Sequence, residues 1–111
     1  MKNKRRSVRH NPKSKIKVYC RRGELGLGKN LTDSIQDLSQ TGARLTLVKE
    51  LKKGEMVEVE LLGIGHLRPV RHLAQVIWSE AQEEGRYLVG IQFDKALSYR
   101  DFQELVRANR A

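Results

Sequence analysis

The sequence predicts an all-β domain, a six-stranded antiparallel β-barrel followed by one C-terminal helix. Three observations carry that expectation. Apolar residues recur at every second position in short runs, and glycine-bearing turns separate the runs. The period changes from two to the helical 3.6 only at the C-terminal end. The chain has 111 residues, the length of a single domain. Closure into a barrel follows because it removes exposed sheet edges.

Residues 1–13 read as a flexible basic arm ending in the turn signal Asn11-Pro12, and residues 14–111 as the barrel with its helix. The first strand is "KIKVYC" (Lys15–Cys20), with Ile16, Val18 and Cys20 on one face. "RRGELGLGKN" has three glycines and reads as a hairpin loop. "LTDSIQDLS" from Leu31 is a weaker, more polar strand, and "ARLTLV" (Ala43–Val48) alternates again. "LKKGE" turns into "MVEVELL" (Met56–Leu62), and "GIGHLRP" into the long strand "VRHLAQVIWSE" (Val70–Glu80). "EEG" (Glu83–Gly85) turns that strand into "RYLVGIQF" (Arg86–Phe93). The helix spans about residues 98–110. Ser98 and Asp101 make an approximate capping box, and Tyr99, Phe102, Leu105 and Val106 share one face.

Net charge is +9, and it is unevenly placed. Residues 1–22 hold ten Lys or Arg and no acid, whereas the rest holds 12 basic and 13 acidic side chains. The arm therefore points to an anionic partner, whether nucleic acid, nucleotide or membrane surface. No apolar run approaches the roughly 20 residues of a membrane helix, and no apolar stretch follows the basic start as a secretory signal requires. The single cysteine, Cys20, excludes an internal disulfide and fits a reduced, cytoplasmic setting.

Two strings carry chemistry. "DLSQTG" (Asp37–Gly42) lies between strands. In the bland reading it is a turn: Gly42 takes positive φ, and Asp37 and Ser39 bond nearby amides. In the functional reading, an exposed Asp37 carboxylate accepts the N1–H and N2–H edge of a guanine. Ser39 and the turn amides then hold phosphate or sugar oxygens. "RRSVR" (Arg5–Arg9) supplies planar guanidinium forks that bond phosphate or guanine and stack on bases. An anionic, guanine-bearing ligand satisfies both strings at once.

In that combination the sequence resembles the PilZ domains, which bind the bacterial second messenger cyclic di-GMP. The family pattern is Arg-x-x-x-Arg near the N-terminus and Asp/Asn-x-Ser-x-x-Gly on the barrel, matched here by Arg5 to Arg9 and Asp37 to Gly42. "VIWSE" and "YLVGIQF" look like the family's late strands, so the resemblance runs over about residues 4–106. It implies a PilZ-like barrel in which Arg5 and Arg9 stack on and bond the ligand, with Arg6 a further candidate. It also implies that Asp37 takes the guanine edge and that Ser39 and Gly42 line the ligand. A free-standing cytoplasmic receptor follows, with no cofactor and no enzymatic role. Its arm orders on binding, and an effector protein reads the new surface.

Other residues have plainer readings. Cys20 is a buried structural thiol. His10, His66 and His72 lack metal-ligand spacing. The glycines of "GLG" (26–28) and "GIG" (63–65) belong to loops, and Glu80, Glu83 and Glu84 to a solvated turn. Trp78 is a core or barrel-rim residue. The alternative function is a small basic barrel that binds RNA or single-stranded DNA. Such barrels stack bases on exposed aromatics. The six aromatics here, Tyr19, Trp78, Tyr87, Phe93, Tyr99 and Phe102, all sit at core or helix-face positions, which disfavours it.

Overall fold

Six strands and a helix follow from the alternation almost residue for residue. The computed structural model describes residues 16–23, 28–63 and 68–110, with side chains through 105. The strands are β1 (Ile16–Arg22), β2 (Thr32–Leu38), β3 (Gly42–Leu47), β4 (Met56–Gly63), β5 (Val70–Ala81) and β6 (Tyr87–Phe93), and the helix is α1 (Tyr99–Arg110). Arg5, Arg6, Arg9, His10 and His66 lie outside the described residues.

The strands form one antiparallel sheet in the order β1-β4-β5-β6-β3-β2, rolled into a nearly closed barrel. Its interior is aliphatic: Leu45, Leu47, Val57, Val59, Leu61 and Val89 are fully buried. Each sits at an alternate strand position, so the period of two becomes the barrel wall. α1 lies against β4 and β1, and its Phe102 and Leu105 join the core. Ser98 caps it, accepting a hydrogen bond from Asp101 N–H at 3.0 Å. Tyr99 departs from the expected apolar face and is 68 % exposed. It is the first residue of the helix, ahead of Phe102 and Leu105, which join the core.

The hairpin expected over residues 21–30 does not form. Arg21 and Arg22 continue β1, which pairs with β4, while β2 pairs with β3. The β1–β2 connection therefore joins the two edge strands of the sheet. Across this seam Leu31 N–H donates to Cys20 O at 2.8 Å, and Asn30 Oδ1 accepts from Cys20 N–H at 2.9 Å. Below those contacts the seam opens into a cleft of about 710 Å³ whose lining includes Ile16, Tyr19, Ile35 and Gln36.

Cys20 is buried in β1 as expected, and burial pushes its thiol pKa up to about 12. The ordinary value is 9.0, so the native thiolate population falls about 1,000-fold. A thiol-directed disulfide reagent at pH 8 is expected to label the native protein about three orders of magnitude more slowly than the urea-unfolded chain. Comparable rates in the two states would place Cys20 at the surface.

Outside the barrel, Glu60 joins three strands. It accepts from Arg71 Nε at 2.8 Å and from Arg21 Nη1 at 3.2 Å, and Arg21 lies 5.3 Å over the Tyr19 ring. Burial raises the Glu60 pKa, but the hydrogen bonds from Arg71 and Arg21 outweigh it and hold the carboxyl below its ordinary value of 4.5. A carboxyl depressed in the folded state adds stability above its unfolded pKa, and that stability drains away as pH falls through the folded one. Glu60→Gln is expected to lower the urea midpoint at pH 7. The gap to wild type should close below about pH 4; a gap constant down to pH 3 contradicts the assignment.

Candidate functional site

"DLSQTG" forms a tight hairpin between β2 and β3. Ser39 N–H donates to Gly42 O at 2.9 Å, which leaves Gln40 and Thr41 as the loop. The Ser39 hydroxyl is 1 % exposed and turned inward on its own loop. Its Oγ accepts from Gly42 N–H at 3.2 Å and from Thr41 N–H at 3.3 Å. Gly42 lacks the positive φ expected of it; among the described residues that region holds Gly23, Gly54 and Gly85. It is glycine for want of space: a Cβ there would stand 2.2 Å from Ile91 O of β6.

Asp37 is corrected as well. The carboxylate is not exposed: the residue is 6 % accessible, and Arg44 Nε donates to its Oδ2 at 2.6 Å. The cause is a β-bulge. β2 pairs Ile35 with Leu45 and Asp37 with Arg44, which makes Gln36 an extra residue. Strict alternation would turn Ile35 and Asp37 to the same face. The bulge sends Ile35 into the core and Asp37 to the outer face beside Arg44.

A second bulge shapes the other flank. β5 pairs Val76 with Ile91 and Trp78 with Gly90, leaving Ile77 extra. Val76 is buried, whereas Trp78 is 38 % exposed, outside the core that alternation assigns it. Its indole lies on Gly90, where a Cβ would come 2.4 Å from Cε2 and Nε1. Gly90 thus gives the ring its seat.

The pairings line up across four strands. Trp78 is opposite Gly90, Gly90 is opposite Arg44, and Arg44 is opposite Asp37. With strands 4.7–4.9 Å apart, the row is about 14 Å wide. It offers an aromatic plate lying over a glycine, a guanidinium and a carboxylate. A concavity of about 240 Å³ runs along it, lined in part by Thr41, Gly42, Arg44, Ile77, Trp78 and Gly90. Stacking surface and cation share one base-sized groove, with the Asp37 acceptor next to Arg44 at the β2 end of the row; the set suits a flat heterocycle that carries an anionic group. Sequence reasoning did not single out Arg44, and it read Trp78 as a core or barrel-rim residue rather than a stacking platform. The available signals were the Asp37 and Arg44 charges flanking a short turn and the glycine opposite the tryptophan.

Among the described residues, no group of three or more His, Cys, Asp or Glu is placed to hold a metal ion, and no helix is long and apolar enough to cross a membrane.

The PilZ domain model matches residues 3–110. No curated protein matches the chain. Among solved structures, the Bacillus subtilis inhibitor of motility (MotI/DgrA) aligns with a TM-score of 0.68 at 12 % identity, over 97 % of this chain and 51 % of that one. The K. pneumonia MrkH–c-di-GMP complex aligns with a TM-score of 0.55 at 19 % identity, over 95 % of this chain and 50 % of that one. The chain thus spans about half the length of each, and at these identities the likeness is one of fold.

Proposed function

The chain belongs to the PilZ domain family, and from that membership we propose that it is a receptor for cyclic di-GMP. The observation that carries the reading is the row across four strands, where Trp78, Arg44 and Asp37 line up beside the Ser39–Gly42 turn. One guanine stacks on the open face of the Trp78 indole, whose other side is seated on Gly90. Asp37 receives the N1–H and N2–H edge when Arg44, itself half-exposed, swings toward phosphate. Gly42 lines the groove with Thr41, and the Ser39 hydroxyl holds the loop that presents them. MrkH, a structural neighbour solved with c-di-GMP, supports the ligand class.

Arg5, Arg6 and Arg9 complete the site from residues 1–13. Ile16, where β1 begins, borders the seam cleft together with Ile35 and Gln36, and Asp37 follows Gln36 directly. Arg9 is seven residues upstream of Ile16, a reach of about 23–25 Å when extended. That exceeds the width of the row, so the basic arm can close over a ligand seated there. Ordering the arm creates the surface that an effector protein reads in the cytoplasm; no chemical step is involved.

Trp78 is the single tryptophan of the chain, which makes it a reporter. Titrating the protein with cyclic di-GMP while following heat and indole fluorescence is expected to give one saturable transition in both signals. Binding of a single-stranded oligonucleotide, steeply salt-dependent, with no response to cyclic di-GMP would favour the nucleic-acid barrel instead. The exposed Trp78 and Tyr99 keep that comparison worth making.

A further inference from the structure

Three hydrogen bonds join the Ser39–Gly42 loop to the segment that leads into α1. Phe93 N–H donates to Thr41 O at 2.9 Å, and Leu97 N–H donates to Gln40 O at 2.7 Å. The Gln40 side chain returns the contact, Nε2 donating to Leu97 O at 2.9 Å. Leu97 is 1 % exposed and shares the core with Phe102 and Leu105 of α1. One residue after Leu97, Ser98 caps the helix, its Oγ accepting from Asp101 N–H and its carbonyl from Phe102 N–H. Loop, Leu97 and the first turn of α1 are therefore a continuous hydrogen-bonded unit. If α1 leaves the barrel, Leu97 goes with it, and Gln40 loses both of its partners there.

Resting on the cyclic di-GMP reading, we infer that α1 regulates the site. Docked, the helix holds the loop in its binding shape; bound ligand in return holds the helix down. A loop fixed in advance costs the ligand less ordering entropy than one it must order itself. By linkage, whatever factor α1 docking adds to ligand affinity, the ligand adds to α1 docking. A partner that grips the docked helix would raise affinity for the second messenger, and one that peels it away would lower it.

The test uses the full chain and cyclic di-GMP itself. In the wild type, saturating ligand is expected to slow hydrogen exchange at amides 102–105 by about fivefold or more. Ser98→Ala, which removes the cap but touches nothing in the row, is expected to weaken binding about fivefold in calorimetry. Ser98→Thr keeps a capping hydroxyl and should restore wild-type affinity, which separates loss of the cap from general damage. Gln40→Ala removes the side-chain bond and leaves the two backbone bonds, so it should shrink the effect of ligand on α1 exchange without abolishing it. Unchanged α1 exchange in a ligand-saturated wild type, or affinity within twofold for Ser98→Ala, overturns the inference while leaving the receptor intact. A wild type that takes up no cyclic di-GMP removes the receptor reading, and this inference with it.

Discussion

Asp37→Ala is expected to weaken cyclic di-GMP binding by about 100-fold. The carboxylate is the acceptor for two guanine N–H groups, and hydrogen bonds to a charged partner contribute about 1.5 kcal/mol or more each. Two of them sum to about 3 kcal/mol, slightly more than two decades of affinity. The substitution also strands the Arg44 guanidinium, whose side chain is 42 % exposed and stays hydrated. Asp37 itself is buried, so removing its side chain also lowers folding stability, by about 1–3 kcal/mol. Asp37→Asn keeps an acceptor oxygen but neither the charge nor the second acceptor, and should lose about tenfold. Calorimetry on both variants, with thermal melts as the folding control, decides the matter. Wild-type affinity in the alanine variant would remove Asp37 from the guanine edge and leave it a structural role, its pairing with Arg44 included.

Gly42→Ala acts on the fold before it acts on the ligand. The added methyl would stand 2.2 Å from Ile91 O, 3.3 Å from Ile91 C and 3.4 Å from Gln92 Cα. All three belong to the β6 backbone, and Gly42 is itself paired with Gln92 in the ladder. No side chain is there to rotate away, so β3 and β6 must separate locally. Overpacking against rigid backbone costs about 3 kcal/mol or more, which for a domain of this size lowers Tm by about 10 °C or more. Gly54→Ala is the comparison. It has open space around the new methyl but a φ of 91°, and should cost only about 1 kcal/mol. Equal melts for the two alanine variants would show that the β3–β6 approach is looser than described.

Much of this architecture is legible from residue order, because a barrel wall writes its period of two directly into the chain. β4 reads as a strand from Met56–Leu62 alone, since Val57, Val59 and Leu61 have to share a face. Partners are a different matter. Glycines in the β1–β2 connection suggest a hairpin, yet the neighbour of β1 is β4, chosen by the closing barrel. The site is also only half visible. Asp37, Ser39 and Gly42 stand out by spacing, but their burial, the Arg44 contact and the true reason for Gly42 depend on strands distant in sequence. Trp78 is hidden because one extra residue, Ile77, reverses the side on which it emerges, and alternation carries no mark of that insertion. Phe93 and Phe102 behave as their spacing says; Tyr99 does not, because it begins the helix where the core has run out.

Both ends of the row owe their orientation to a single surplus residue, Gln36 on one flank and Ile77 on the other. Recognition in this domain is consequently protected against many changes of letter and exposed to changes of count. Were β5 a regular strand with Ile77 taking its own place in the ladder, Trp78 would share the face of Val76 and the indole would turn inward. Whatever side chains line the groove, the phase of β2 and β5 decides which of them face it.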